Sequence, residues 1–300
     1  MDFCGCSRDA TSPRTIINGP RFPFATAILV GSLLAACGAG HGNDASRQQD
    51  FGETFRQWRL PDRLNEISGL ALAEDERLFA VTDESAIVYE LDYEEGRIVK
   101  SFAFGDPVAR GDFEGIAVLG DTLWLMTSDG TLLAAKEGQD GERVAYRRYE
   151  TGMGAYCELE GLAQDRAARS LLMACKETRS GKDQLKMSEW AVSAGSPTRG
   201  RDIVIPEGPV ADMLDEKRIN PSGVALDPRN GEWVLVAARQ HAIVRLSADG
   251  KLSRAIIFPK KGRHPQAEGI EVTGKGELLI VDEGGGGRAR LAVYAADPSQ

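Results

Sequence analysis

The sequence predicts an all-β protein, a β-propeller of five blades with four antiparallel strands each. Three observations carry this expectation. A short polar-to-glycine motif recurs five times, each recurrence is followed by short apolar runs separated by polar turns, and glycine is abundant (34 of 300 residues) while aromatics are sparse at 7%. Turn-rich composition of this kind suits repeated short strands better than a helix bundle.

The recurring segments are Glu66-Ile67-Ser68-Gly69-Leu70, Asp112-Phe113-Glu114-Gly115-Ile116, Glu158-Leu159-Glu160-Gly161-Leu162, Asn220-Pro221-Ser222-Gly223-Val224 and Gln266-Ala267-Glu268-Gly269-Ile270. Their glycines are spaced by 46, 46, 62 and 46 residues. A period of roughly 40–50 residues is the length of one propeller blade.

The first residues precede the fold. Arg8, Arg14 and Arg21 lead into an apolar run over residues 22–36 that ends in small residues, the pattern of a secretory signal. Leu34-Ala35-Ala36-Cys37 resembles a bacterial lipobox, which makes residues 1–36 a lipoprotein signal peptide and Cys37 the lipidated first residue. Gly38 follows in place of an inner-membrane retention signal, so an outer-membrane anchor facing the periplasm or the outside is favoured. Residues 37–54 are small and polar and read as a flexible tether. The propeller domain occupies residues 55–300.

Within each unit the motif opens a first strand, at residues 70–72, 116–118, 162–163, 224–226 and 270–272. A polar turn and a second apolar run follow, at 78–81, 123–126, 171–174, 233–237 and 278–281. Both runs are bounded by turn residues and apolar on both faces, as buried strands are. Weaker alternating strands complete each unit. The fifth unit ends after three strands, and residues 54–60 can supply its outermost strand, closing the ring. The extra length between the third and fourth motifs allows either a sixth blade or an insertion; a helical pattern over residues 210–218 favours the insertion.

If the motif strand is innermost, alternation turns the residues three and one before each glycine toward the axis. That gives a collar of Glu66, Asp112, Glu158, Asn220 and Gln266 above Ser68, Glu114, Glu160, Ser222 and Glu268. The second strands return antiparallel, so Asp83, Asp129, Lys176, Arg239 and the pair Asp282-Glu283 join the same face. Two carboxylates about 5 Å apart repel by roughly 3 kcal/mol at an effective dielectric of about 20. Three converging glutamates would cost on the order of 10 kcal/mol, comparable to a whole domain's stability. Proton uptake, pairing with Lys176 or Arg239, or a bound cation must offset this. An all-oxygen set selects a hard ion, Ca²⁺ before Mg²⁺, so Glu114, Glu158, Glu160, Glu268, Asp282 and Glu283 are the candidate metal ligands. A hydrated collar without metal is the other reading. Cys157 and Cys175 flank the hairpin of the third blade at equal distance from Arg166, and export permits a disulfide between them.

The motifs resemble those of the SdiA-regulated protein family, exported bacterial propellers related to YjiK. The resemblance is carried by Ile67-Ser68-Gly69-Leu70, by Cys157 to Leu162 with Ala174-Cys175-Lys176-Glu177, by Asn220 to Gly223, and by Gln266 to Ile270 with Val281-Asp282-Glu283. It implies a membrane-associated propeller without an established activity; related phytase-like and lactonase-like propellers often hold calcium on the axis. Arg239-Gln240-His241 departs from the family pattern.

Two functions follow as expectations. One is a calcium-holding binding, scaffold or sensor module of the cell envelope, serving an envelope protein or a small anionic ligand. The other is a calcium-dependent hydrolase acting on phosphoesters or lactones, with His264 as proton carrier and Lys176 and Arg239 as anion holders. The net charge of -9 and the lack of a basic stripe exclude nucleic acid as a partner.

Overall fold

The computed structural model describes residues 55–182, 184–258 and 262–296. The expected signal peptide, Cys37 and tether lie outside the described residues.

The described chain forms five sheets, each built around one motif strand. Blade 1 runs Ile67–Leu72, Leu78–Thr82, Ser85–Asp92 and Arg97–Phe104, in that order across the sheet. Blade 2 holds Phe113–Leu119, Thr122–Thr127, Thr131–Lys136 and Tyr146–Glu150. Blade 3 holds Cys157–Asp165, Ser170–Thr178, Lys186–Ser193 and Ser196–Val204. Blade 4 holds Gly223–Leu226, Trp233–Ala237, Ala242–Leu246 and Leu252–Ile257. Blade 5 holds Ala267–Val272, Leu278–Asp282 and Arg290–Tyr294, and its fourth strand is Phe55–Arg59. That last strand pairs Phe55 with Tyr294 and Arg59 with Arg290, which joins the first described residues to the last blade as the sequence predicts.

The ring has five blades and not six. The extra length after blade 3 is an insertion carrying the helix Glu207–Leu214, three residues earlier at its start than the sequence pattern suggests. Its C-cap Asp215 sits in the left-handed region and stops it. One addition is not visible in the sequence: Arg143–Val144 pairs in parallel with blade 1 as a two-residue fifth strand.

The core lies between blades. Trp124, Leu171, Met187, Trp233 and Leu235 share one cluster spanning blades 2 to 4, and Phe79, Phe102, Phe104 and Phe113 share another between blades 1 and 2. Trp124, Trp190 and Trp233 are buried and form part of this core.

The motif glycines exist because the inner strands meet there. A Cβ on Gly69 would stand 3.1 Å from the Gly115 backbone, and one on Gly161 would stand 3.0 Å from the Gly223 backbone. One on Gly223 would stand 2.9 Å from the Glu268 carbonyl oxygen, and one on Gly269 would stand 3.2 Å from the Leu70 backbone nitrogen. Gly115 is the tightest against backbone, with its imagined Cβ 2.7 Å from the Leu162 nitrogen. The five glycines thus form a closed ring, and the space left along the axis at their level is about 10 Å³. That is scarcely room for one water. The axis is plugged at the glycines, so the polar residues before them line a mouth on one face and not a through-channel. A Gly115→Ala chain is expected to lose about 1–3 kcal/mol by overpacking against backbone, while Gly120→Ala, whose Cβ would meet nothing within 4 Å, pays only for its positive φ; comparing their urea midpoints checks this.

Candidate functional site

The register of each motif strand explains how the collar forms. Ile67 pairs with Thr82 and Gly69 with Val81, so Ser68 is an extra residue, a β-bulge. The same offset makes Glu114 extra between Phe113 and Gly115, and Glu268 extra between Ala267 and Gly269. In blade 3 Leu159 pairs with Cys175 and Leu162 with Met173, which places the extra residue at Glu160-Gly161. In blade 4 the Ser222 amide donates to Val236, which is also the partner of Gly223. Simple alternation predicts a side chain turned to the axis; a bulge re-aims it more strongly and leaves it outside the ladder.

Of the ten expected oxygens, three glutamates are brought together. Glu160 is buried, and Lys176 Nζ lies 2.9 Å from its Oε2 and 3.5 Å from Glu158 Oε1. The Lys176 ammonium at 2.9 Å is thus the charge that faces the buried Oε2 of Glu160. Burial, with repulsion from Glu160, pushes Glu268 up to about 8, and the two carboxyls interact directly. Burial, with the charges of Glu160 and Asp112, pushes Glu114 up to about 9. Burial also raises Glu160, against the pull of Lys176. Burial works against the Lys176 charge, but Glu160 outweighs it and holds the ammonium above its ordinary range.

The others have local partners. Ser222 Oγ donates to the Ala267 carbonyl at 2.6 Å, tying blade 4 to blade 5. Asn220 Nδ2 donates to the Lys176 carbonyl at 3.2 Å, holding the backbone that carries the lysine. Ser128 Oγ donates to Asp112, and Gln266 Nε2 donates to Glu283. Glu283 is raised by burial and by the nearby Asp83 and Glu66, so it sits on the rim toward blade 1.

Two expected site residues are placed elsewhere. His264 is not a loop residue open to the mouth; it is 1% exposed. Its Nδ1 is 2.8 Å from Asp282 Oδ2, and its Nε2 is 2.6 Å from the Tyr294 hydroxyl. Phe258 packs on the ring at 4.5 Å. Both ring nitrogens are engaged, which removes His264 as a proton carrier for a molecule in the mouth. Asp282 is fully buried on the same histidine and is therefore withdrawn from the set of metal ligands.

A cavity of about 360 Å³ opens beside the glutamates, lined by Glu160, Lys176, Asn220, Arg239, His241 and Glu268 among others. Arg239 is exposed above it. His241 was placed on this face from the sequence only as part of Arg239-Gln240-His241, with no role assigned. It holds a left-handed φ of 49° in the turn after Trp233–Ala237, and its Nδ1 lies 3.3 Å from the His264 carbonyl. Among the described residues, no three His, Cys, Asp or Glu side chains are drawn into a ready-made metal cage.

The disulfide expected between Cys157 and Cys175 is present, with Cα atoms 5.8 Å apart. The two are not directly opposed: Cys157 pairs with Thr178, and Cys175 with Leu159.

No family model matches the chain, and no curated protein matches it. The resemblance to the SdiA-regulated family therefore rests on the motifs alone. Solved structures share the propeller fold. A luciferin-regenerating enzyme matches at TM-score 0.51 and 8% identity, over 82% of this chain and 96% of that one. A glucose dehydrogenase matches at 0.51 and 13%, over 81% and 100%. The glutaminyl cyclase of Myxococcus xanthus matches at 0.50 and 14%, over 81% and 96%. At such identities the likeness speaks for the fold alone.

Proposed function

We propose that the protein is a binding module of the bacterial cell envelope, a lipid-anchored member of the SdiA-regulated family, whose axial mouth takes up a calcium ion. The observation that carries this reading is the convergence of Glu114, Glu160 and Glu268 from three blades, two of them with proton affinities raised to about 9 and about 8. Carboxyls whose proton affinities are raised by burial and by one another, with Lys176 as the cation against Glu160, form a site short of positive charge. The donor set is all oxygen and fits a hard cation. Calcium would supply that charge, while Glu114 and Glu268 give up their protons and Lys176, partly exposed at its side chain, yields its place on Glu160. A hydrolase reading has lost its histidine to the buried Asp282–His264–Tyr294 group, so binding is preferred.

The pH dependence follows with a definite sign. Glu114 and Glu268 keep protons in the folded chain above their ordinary value of 4.5, where the unfolded chain has lost them. Their contribution to stability is full below about pH 4.5 and fades as pH rises through about 8 to 9. Calcium-free protein should therefore lose melting temperature from pH 5 to pH 9, and millimolar calcium should flatten the upper part of that slope. Melts at five pH values with and without calcium test this; identical curves would oppose the reading.

A further inference from the structure

We infer that the Cys157–Cys175 disulfide is a positioning device for the axial site, holding two opposed bulges whose extra residues are Glu160 and Lys176. The inference rests on the proposed binding role of that site. Four observations carry it.

First, blade 3 is bulged twice. Between Leu159 and Leu162 the motif strand has one residue too many, and between Cys175 and Glu177 its partner strand does, because Glu158 pairs with Glu177 while Leu159 pairs with Cys175. Lys176 is that second extra residue. Blades 1, 2 and 5 show one shift each between their first two strands, on the motif side only.

Second, the two extra residues are the ion pair itself, with Lys176 Nζ 2.9 Å from Glu160 Oε2. Each side chain is outside the ladder, so ladder hydrogen bonds do not fix where it points.

Third, the backbone at this place is the unusual one among the motifs. Gly161 adopts a φ of 102°, and none of Gly69, Gly115, Gly223 and Gly269 is at positive φ. A side chain there would be disfavoured, so this strand, with its second bulge, takes a path that the other motif strands do not.

Fourth, the bridge is diagonal. A plain cross-strand staple would join Cys157 to position 178, its direct pairing partner. The bridge joins Cys157 to Cys175 instead and spans the bulged lysine. Cys157 lies three residues before Glu160, Cys175 immediately before Lys176, and both sulfurs are buried. The bond therefore fixes the offset between the strands at the point where the pair is presented.

The test separates positioning from stapling by moving the bridge. A Cys175→Ala, Thr178→Cys chain joins Cys157 to its direct partner and keeps a covalent link between the same strands. Its companion is Cys157→Ala, Cys175→Ala. Carboxyl and Lys176 Nζ titrations are followed by NMR without calcium, and calcium affinity is measured separately. The expected result is a relocated-bridge chain that melts near the wild type, in which Glu160 and Lys176 no longer titrate as a pair and calcium affinity falls at least tenfold. Unchanged pairing and unchanged affinity in the relocated chain would overturn the inference and leave a staple. Where the relocated bridge does not form, the double-alanine chain is read against the same two outcomes; where neither variant folds, reduced wild type is. Because the titration needs no calcium, loss of pairing in a chain that never binds calcium upholds the positioning role and refutes the calcium reading alone.

Discussion

Lys176→Met should destabilise the calcium-free protein by about 3–5 kcal/mol at pH 7, the usual consequence of removing one partner of a buried ion pair. Glu160 is 5% exposed and has its lysine at 2.9 Å. Without Lys176 the carboxylate loses the cation that lowers its proton affinity. It then takes up a proton more readily, so the loss should shrink at pH 5. Calcium should restore most of the lost stability, and its affinity should rise about tenfold, because the internal competitor for Glu160 is gone. Urea unfolding at two pH values, each with and without calcium, checks all of these. A Lys176→Met chain that is destabilised but indifferent to calcium would mean that the lysine is the only cation the mouth needs.

Glu160→Gln combined with Glu268→Gln should have the opposite character. The double change removes two interacting buried carboxyls at the centre of the cluster. Calcium affinity should fall by at least 100-fold. Stability without calcium should change less than in Lys176→Met, because amides keep the shape and the lysine left behind is partly exposed and still faces Glu158, whereas Lys176→Met leaves its charge partner buried. The fall in melting temperature from pH 5 to pH 9 should also become shallower, since Glu268 no longer loses its proton and Glu114 has lost the Glu160 charge that helps raise it. Calorimetry gives the affinity and thermal melts the slope. Retained affinity would place the ion away from the collar.

The propeller was legible in the sequence because its cause is local and repeated. Each inner strand must pass its neighbour at backbone distance, so each needs a glycine, and the glycines recur at blade length. The closing strand was legible because blade 5 visibly lacks one. The convergence of Glu114, Glu160 and Glu268 was also legible, though by an incomplete argument: alternation names the right residues, but bulges are what turn them inward. A bulge inserts one residue without a composition signal, so Lys176 could be assigned to the correct face and named beside Arg239 as a partner for the glutamates, but not matched to Glu160 in particular. His264 was misjudged because its partners, Asp282 and Tyr294, are 18 and 30 residues away. Glu271 was overlooked for the same reason. It is a buried acid at the opposite end of its strand that accepts from the Leu72 amide and from Gln164 Nε2, tying blades 5, 1 and 3 together. Long-range partners of a single polar residue leave no periodicity to read.

The most direct test of the central claim is calorimetric titration of calcium into chelator-stripped protein at pH 7, in two buffers of different ionisation enthalpy. The account predicts saturable binding at one site per chain, with heats that differ between the buffers because protons leave Glu114 and Glu268 as the ion binds. Absence of binding up to millimolar calcium, with an unchanged melting temperature, would contradict it and leave Lys176 and two protonated glutamates as the complete charge balance of the mouth.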